Sequence, residues 1–190
     1  MIPVQCIATF LTRWWASGDL PAFRQGFRQG CDISMTLMVG GVVAVLLAAR
    51  SLFDLWLGPG HFVGHGLLAV FAITMLFETH HVIFANAVRA TDKEVFVHVA
   101  LISGAINVVL TLLLIGPLGL LGVAMATMIA QLLTNNWYAV YRGNQCLQWS
   151  WRVYLRNALL PYLALAITMA SPWLLVPQSS LADLAPGVRI

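Results

Sequence analysis

FVHVALISGAINVVLTLLLIGPLGLLGVAMATMIAQLLTNNWYAVY, residues 96–141, contains no Asp, Glu, Lys or Arg. A helix rises about 1.5 Å per residue, so roughly 20 apolar residues cross a hydrocarbon core about 30 Å thick. The stretch holds two such lengths, 96–116 and 119–141, joined only by Gly116-Pro117-Leu118-Gly119. Neither shows the period-two alternation of a strand, and lipid tolerates only helices or closed barrels. So short a connection makes the two helices antiparallel neighbours. Gly122, Ala126 and Ala130 recur every four residues on the second helix, giving a face that another helix can approach closely. Thr127, Gln131, Thr134 and Asn135 occupy a different face, and Ser103, Asn107 and Thr111 form a polar stripe on the first helix. Polar atoms turned to lipid lack partners, so the stripes are expected to face each other or a wet cavity.

Three further apolar runs flank the hairpin, at 31–50, 66–86 and 157–176, the last with Pro161 and Pro172 near its ends. The expected fold is therefore all-α: a polytopic membrane protein of about five transmembrane helices. Composition agrees. Of 190 residues 60% are hydrophobic and only 9% charged, against roughly 25% charged in soluble domains, and the mean hydropathy is +0.84. A soluble globule, a disordered chain and a disulfide scaffold are excluded. The three cysteines are odd in number and scattered, and the basic residues form no cluster of the kind nucleic acid requires. Residues 1–12 are apolar but too short to span, so they lie at the interface or end a longer helix.

Arg13, Arg24, Arg28, Arg89, Lys93, Arg142, Arg152 and Arg156 fall on alternate connections, which places eight of the ten basic residues on one side of the membrane. That side is expected to be cytoplasmic, with the run 31–50 leading outward. All seven tryptophans lie near span ends or in flanking loops, where an indole buries its ring and keeps its N–H wet.

Several fragments, taken in order, carry a resemblance. They are Trp15-Ala16-Ser17-Gly18-Asp19 before a basic segment, Leu55-Trp56-Leu57-Gly58, and Ala85-Asn86-Ala87-Val88-Arg89-Ala90-Thr91-Asp92-Lys93. The strongest are Ile106-Asn107-Val108-Val109-Leu110 and Leu118-Gly119-Leu120-Leu121-Gly122-Val123-Ala124-Met125-Ala126-Thr127. Over about 12–142 the chain resembles the superfamily of multidrug and toxin extruders and lipid-linked oligosaccharide flippases, on its polysaccharide-exporter branch. The resemblance implies one lobe of a two-lobed flippase of the bacterial inner membrane, its substrate a lipid-linked sugar, with the N-terminal lobe lying outside this sequence. It also implies an organisation: 1–30 as the end of a preceding helix and a cytoplasmic basic linker, 31–141 as four helices of the lobe, 142–156 as a cytoplasmic loop, 157–176 as an additional helix, and 177–190 as a tail.

Glu78 is the one acidic residue deep inside a span, where a bare carboxylate costs on the order of 2–3 kcal/mol or more. His81 and Arg89, three and eleven residues on, share its helical face. Glu78 and His81 then read as a protonatable pair lining a cavity, with Arg89 at its cytoplasmic mouth to meet a substrate phosphate. The plainer reading is a protonated Glu78 bonded to a neighbouring helix and Arg89 as a positive-inside anchor. Asp32 is either a cation-binding wall residue or a carboxylate favoured by a helix N-terminus. Asn107, Gln131 and Asn135 are candidates to meet sugar hydroxyls, although such residues also serve as interhelical glue. No Lys or Arg lies mid-span, so a cationic cavity for a lipid pyrophosphate must come mostly from elsewhere. No catalytic residue, cofactor or nucleotide motif is evident. His61 and His65 belong at the outer surface, and His80 and His81 about 22 Å further along the next span and about 100° apart in direction. A metal site and a membrane metalloenzyme are therefore not expected; the remaining rival is a non-catalytic membrane subunit or scaffold.

Overall fold

A computed structural model describes residues 2–92 and 94–175. Met1, Lys93 and residues 176–190 lie outside them, and with them Arg189 of the charge count and the expected 177–190 tail. The described residues form helices and turns without a strand: α1 (Ile2–Ala16), α2 (Leu20–Leu57), α3 (His65–Arg89), α4 (Val97–Leu118), α5 (Leu120–Gln131), a π turn π1 (Leu132–Asn136), α6 (Trp137–Leu147), α7 (Trp151–Tyr154), a second π turn π2 (Leu155–Leu159) and α8 (Leu160–Leu175). Three helices, α2, α3 and α4, are long and apolar enough to cross a membrane. The other two expected spans fall on helical rods, 120–147 and 151–175, each interrupted by a π turn.

In π1 the Thr134 hydroxyl donates to the Ala130 carbonyl at 2.6 Å, the same bond that Thr74, Thr79 and Thr127 make inside regular α-helix. The second interruption has a local cause. In π2 the Leu160 N–H reaches Leu155 O, one residue further back than an α-helix allows. Pro161 follows at once; its ring would press on the carbonyl of Asn157 and it has no N–H to offer it, so a widened turn relieves the crowding.

Within the first 30 residues a helix, α1, does come first, but the segment after it is helical as well rather than a linker. The chain turns at Ser17-Gly18-Asp19, and α2 begins at Leu20, with Asp19 accepting from the Ala22 N–H at 3.0 Å and Pro21 in the first turn. Hydropathy marks where the apolar stretch begins, at residue 31, whereas the helix starts three turns earlier. At about 57 Å, α2 outreaches the hydrocarbon and carries Arg24 and Arg28 on its early turns. The expected 142–156 loop likewise shrinks to Gln148–Ser150, because α6 runs to Leu147 and α7 starts at Trp151. Arg24 closes that junction: its Nε donates to the Leu147 carbonyl at 2.7 Å, a cation on a helix C-terminus.

α4 and α5 form the expected hairpin, through a turn tighter than the sequence implies. α4 continues through Gly116 and Pro117, and Gly119 alone reverses the chain at φ +57°. Gly122, Ala126 and Ala130 are all buried, and a Cβ at Gly122 would overlap the Leu114 carbonyl. α1 packs on α2 by the same device, with Trp14 over Gly26 and Ile7 over Gly30. α3 lies at the centre, touching α1, α2, α5, π1 and α6, while α8 rests on α2.

The core sits at the basic end of the bundle. Phe23, Phe27, Ile83, Phe84, Val88, Ala139, Leu147 and Tyr154 are buried there. Phe27 meets Phe84 edge-on at 5.0 Å and Trp149 at 5.6 Å. The opposite end exposes its side chains, with Leu55 85%, Trp56 86% and Leu112 72% exposed, a surface suited to lipid or to another membrane protein.

Gly122→Leu is expected to destabilise the hairpin by about 3 kcal/mol, as forced overpacking does, whereas Gly104→Leu, where nothing lies within 4 Å of an added Cβ, leaves the unfolding midpoint nearly unchanged. Equal midpoints in the two variants contradict the packing. For orientation, a membrane-impermeant maleimide applied to intact cells should label His61→Cys and spare Gln145→Cys in a background lacking Cys6, Cys31 and Cys146. Strong external labelling at 145 reverses the topology.

Candidate functional site

On α3, residues 74, 78 and 81 are spaced by four and three, so their side chains emerge along one stripe. That stripe faces α5 and π1. Thr74 and Glu78 from α3 and Thr127 and Gln131 from α5 line a cavity of about 370 Å³, otherwise walled by apolar side chains such as Phe71, Met75 and Val123. Glu78 is half-buried. The Gln131 Oε1 atom is buried without a hydrogen-bond partner. An acceptor in that position favours a donor brought by water or a ligand.

Asn107 joins the site from behind. Its Nδ2 donates to Thr127 Oγ1 at 3.1 Å, and its Oδ1 accepts from Thr111 Oγ1 at 3.0 Å. The Thr127 hydroxyl donates in turn to the Val123 carbonyl at 3.2 Å. The polar stripes of α4 and α5 thus meet each other, as the four-residue spacing implies. Asn107 is spent on this contact and orients Thr127 toward the cavity, which places it one residue removed from the space that Glu78 lines.

His81 lies one turn closer to the basic end. Its Nδ1 is 3.1 Å from the Asn135 carbonyl. A carbonyl only accepts, so Nδ1 carries the proton of this bond and a neutral ring keeps Nε2 as acceptor. Asn135 therefore contributes its backbone oxygen, presented within π1, to the site. Glu78 is close enough for its charge to act on the imidazole.

The structure does not bring Asp32 or Arg89 into this cavity. Asp32 lies on α2 and accepts from the Tyr162 hydroxyl on α8 at 2.8 Å. Since α2 starts at Leu20, Asp32 is more than three turns inside the helix, too far for its N-terminal dipole to act; a bond between α2 and α8 replaces that reading. Arg89 pairs with Glu94 at 3.2 Å, both exposed, and its guanidinium sits 5.3 Å from the centre of the Phe96 ring. It stands at the basic end of α3, about 16 Å along the helix from Glu78, on a partner of its own.

The two neighbouring histidines face different spaces. His80 stacks on Phe84 at 4.8 Å and meets Tyr154 at 5.9 Å, away from the Asn135 carbonyl that holds His81. His61 donates from Nδ1 to the Gly58 carbonyl at 3.2 Å. Among the described residues no three His, Cys, Asp or Glu side chains gather closely enough to hold a metal ion. Asn136 and Asn144 escaped the sequence reading, although both are buried with neither amide atom bonded. The one signal for Asn136 is the Asn135-Asn136 pair inside an apolar run; Asn144 follows a basic residue and reads as loop.

Comparison with known protein families, with curated proteins and with solved structures finds no match.

The Asn107–Thr127 bond is expected to contribute about 1 kcal/mol. A double-mutant cycle of Asn107→Leu and Thr127→Val, read by unfolding in detergent, should return a coupling energy of that size. Strict additivity of the two substitutions means that the bond does not form.

Proposed function

We propose that the chain is the C-terminal part of a membrane exporter, a flippase that moves lipid-linked oligosaccharide or polysaccharide precursors across the bacterial inner membrane. In this reading the rods 120–147 and 151–175 are the fourth and fifth spans. At about 42 Å and about 37 Å they are long enough, and their π turns do not shorten them below the hydrocarbon thickness. The observation that carries the reading is the Glu78 cavity. A carboxylate at mid-helix lies beside Thr74, Thr127 and Gln131, whose Oε1 is unpartnered, in a cavity otherwise walled by apolar side chains. A purely structural carboxylate would be closed off by a bond to its neighbour; Glu78 makes no hydrogen bond among the described residues and faces open space instead. Hydroxyl and amide groups beside a titratable acid suit a hydrated sugar and a proton that enters or leaves as the cavity changes its exposure.

His81 is the partner for that proton. Anchored through Nδ1, it keeps Nε2 available, and Glu78, His81 and Arg89 are the charged or titratable groups along this face of α3. The cavity supplies no cation for a lipid pyrophosphate, since Arg89 is engaged by Glu94. A second lobe, which alternating access also requires, has to bring it.

The test is reconstitution in proteoliposomes with a fluorescent lipid-linked sugar, using the chain alone and the chain coexpressed with the product of the DNA immediately upstream. Translocation is expected only with the companion. Glu78→Gln should assemble normally and lose the pH dependence of the rate. A companion-bound complex that never translocates the sugar favours a non-catalytic membrane subunit, and unchanged pH dependence in Glu78→Gln returns that carboxylate to a structural role.

A further inference from the structure

A second cleft, separate from the Glu78 cavity, lies on the other side of α3. It has a volume of about 410 Å³, within the roughly 300–1,000 Å³ range of small-molecule sites. Residues of α2, α3, α6, α7 and α8 enclose it, and both π turns open onto it, π1 through Leu132 and Asn136 and π2 through Ala158 and Leu159. Two unrelated helix defects on one space is a placement seen at functional sites. Its rim is apolar and exposed, with Ile73, Trp137, Trp151 and Leu163, so an occupant enters from the hydrocarbon.

The wall is not wholly apolar. Asn136 is only 8% exposed, and neither its Oδ1 nor its Nδ2 has a hydrogen-bond partner. His80 also lines the cleft, and its Nε2 is buried and unpartnered. A buried amide left unbonded on both sides is costly, and native structures rarely keep one without a bound group to satisfy it. The missing partner has to donate to Oδ1 and accept from Nδ2. A hydroxyl does both; a carboxylate, phosphate or ester carbonyl only accepts. No Lys or Arg lines the cleft, so an anionic head would be desolvated without compensation.

We propose that this cleft binds an uncharged, hydroxyl-bearing membrane amphiphile, its hydrocarbon among the apolar side chains and its hydroxyl on Asn136 and His80. The site is independent of the flippase reading and of the Glu78 cavity. In the bundle it places a hydrogen-bonding group about 9 Å along the rod from Arg142, one and a half turns below the basic end. A headgroup drawn to that depth has left the interface, which an uncharged hydroxyl does at far lower cost than a phosphodiester.

The experiment uses the purified 190-residue chain in vesicles of phosphatidylcholine and phosphatidylglycerol with a diazirine-bearing, alkyne-tagged 1-hexadecanol. After irradiation, label is expected on peptides from α6 and α8. 1-Hexadecanol or dioleoylglycerol should displace the label at about one fifth of the concentration that hexadecane or hexadecyl phosphate requires, the affinity ratio given by one net hydrogen bond. Competition by 1-hexadecanol alone identifies a single-chain alcohol, and competition by dioleoylglycerol a two-chain glycerolipid; both support the hydroxyl site. Asn136→Leu, which keeps the branched shape and removes the amide, should reduce labelling by about fivefold. Competition by hexadecane as strong as by hexadecanol overturns the proposal, and this comparison on the unaltered chain stands whether or not the variant folds.

Discussion

A polar side chain carried into hydrocarbon that cannot bond its own helix, as the threonine hydroxyls do, has to find its partner on another, because lipid supplies none. That constraint selects the helix pairs of this protein. Apolar side chains are as well solvated by lipid as by each other, so they do not choose neighbours. Asn107 on α4 chooses Thr127 on α5, His81 on α3 chooses the Asn135 carbonyl of π1, and Asp32 on α2 chooses Tyr162 on α8. Each bond fixes the rotation of a helix that is otherwise free to turn about its axis. Small residues then allow the approach, with Gly122 against Leu114 and Gly26 against Trp14.

The same constraint gives meaning to the groups left over. Gln131 Oε1 in one cavity and the Asn136 amide with His80 Nε2 in the other are buried and unbonded. They lie on opposite sides of α3, each among mainly apolar walls. Residues 131–136 serve both, because at about 100° per residue Gln131 and Asn136 point roughly 140° apart around the rod. The carbonyl of Asn135, within π1, is taken by His81.

Much of this was legible in the sequence. The charge-free stretch 96–141 dictates a hairpin, and the four-residue spacing of Ser103, Asn107 and Thr111 left two outcomes, a seam with α5 or a wet cavity, of which the Asn107–Thr127 bond realises the first. The divergence of His80 and His81 follows from 100° per residue alone. What hydropathy could not place was the start of α2 at Leu20, since early turns carrying Arg24, Gln25, Arg28 and Gln29 look like a linker on any apolarity scale. Nor could it show the π turns, since a proline such as Pro161 looks unremarkable near the end of an apolar run. The fates of Asp32 and Arg89 were hidden for a further reason: their partners, Tyr162 and Glu94, are chosen by tertiary geometry in one case and by a short loop in the other.

The two ends of the bundle differ in the kind of cohesion they have. At the basic end Phe23, Phe27, Phe84 and Leu147 are wholly buried, and Arg24 ties α2 to the terminus of α6, so the helices there move as one body. Beyond mid-length the contacts thin, and large aliphatic side chains of α2 and α4 face outward. The Glu78 cavity lies where close packing gives way to this open part. A body that rocks about a firm end displaces its far end most, and side chains near the transition shift by less than the rim while still changing neighbours. Glu78 is placed there, one turn from His81, whose ring is held on the firm side by the Asn135 carbonyl. Within the proposed flippase, that arrangement ties the protonation of Glu78 to the opening of the lobe rather than to the local state of its helix.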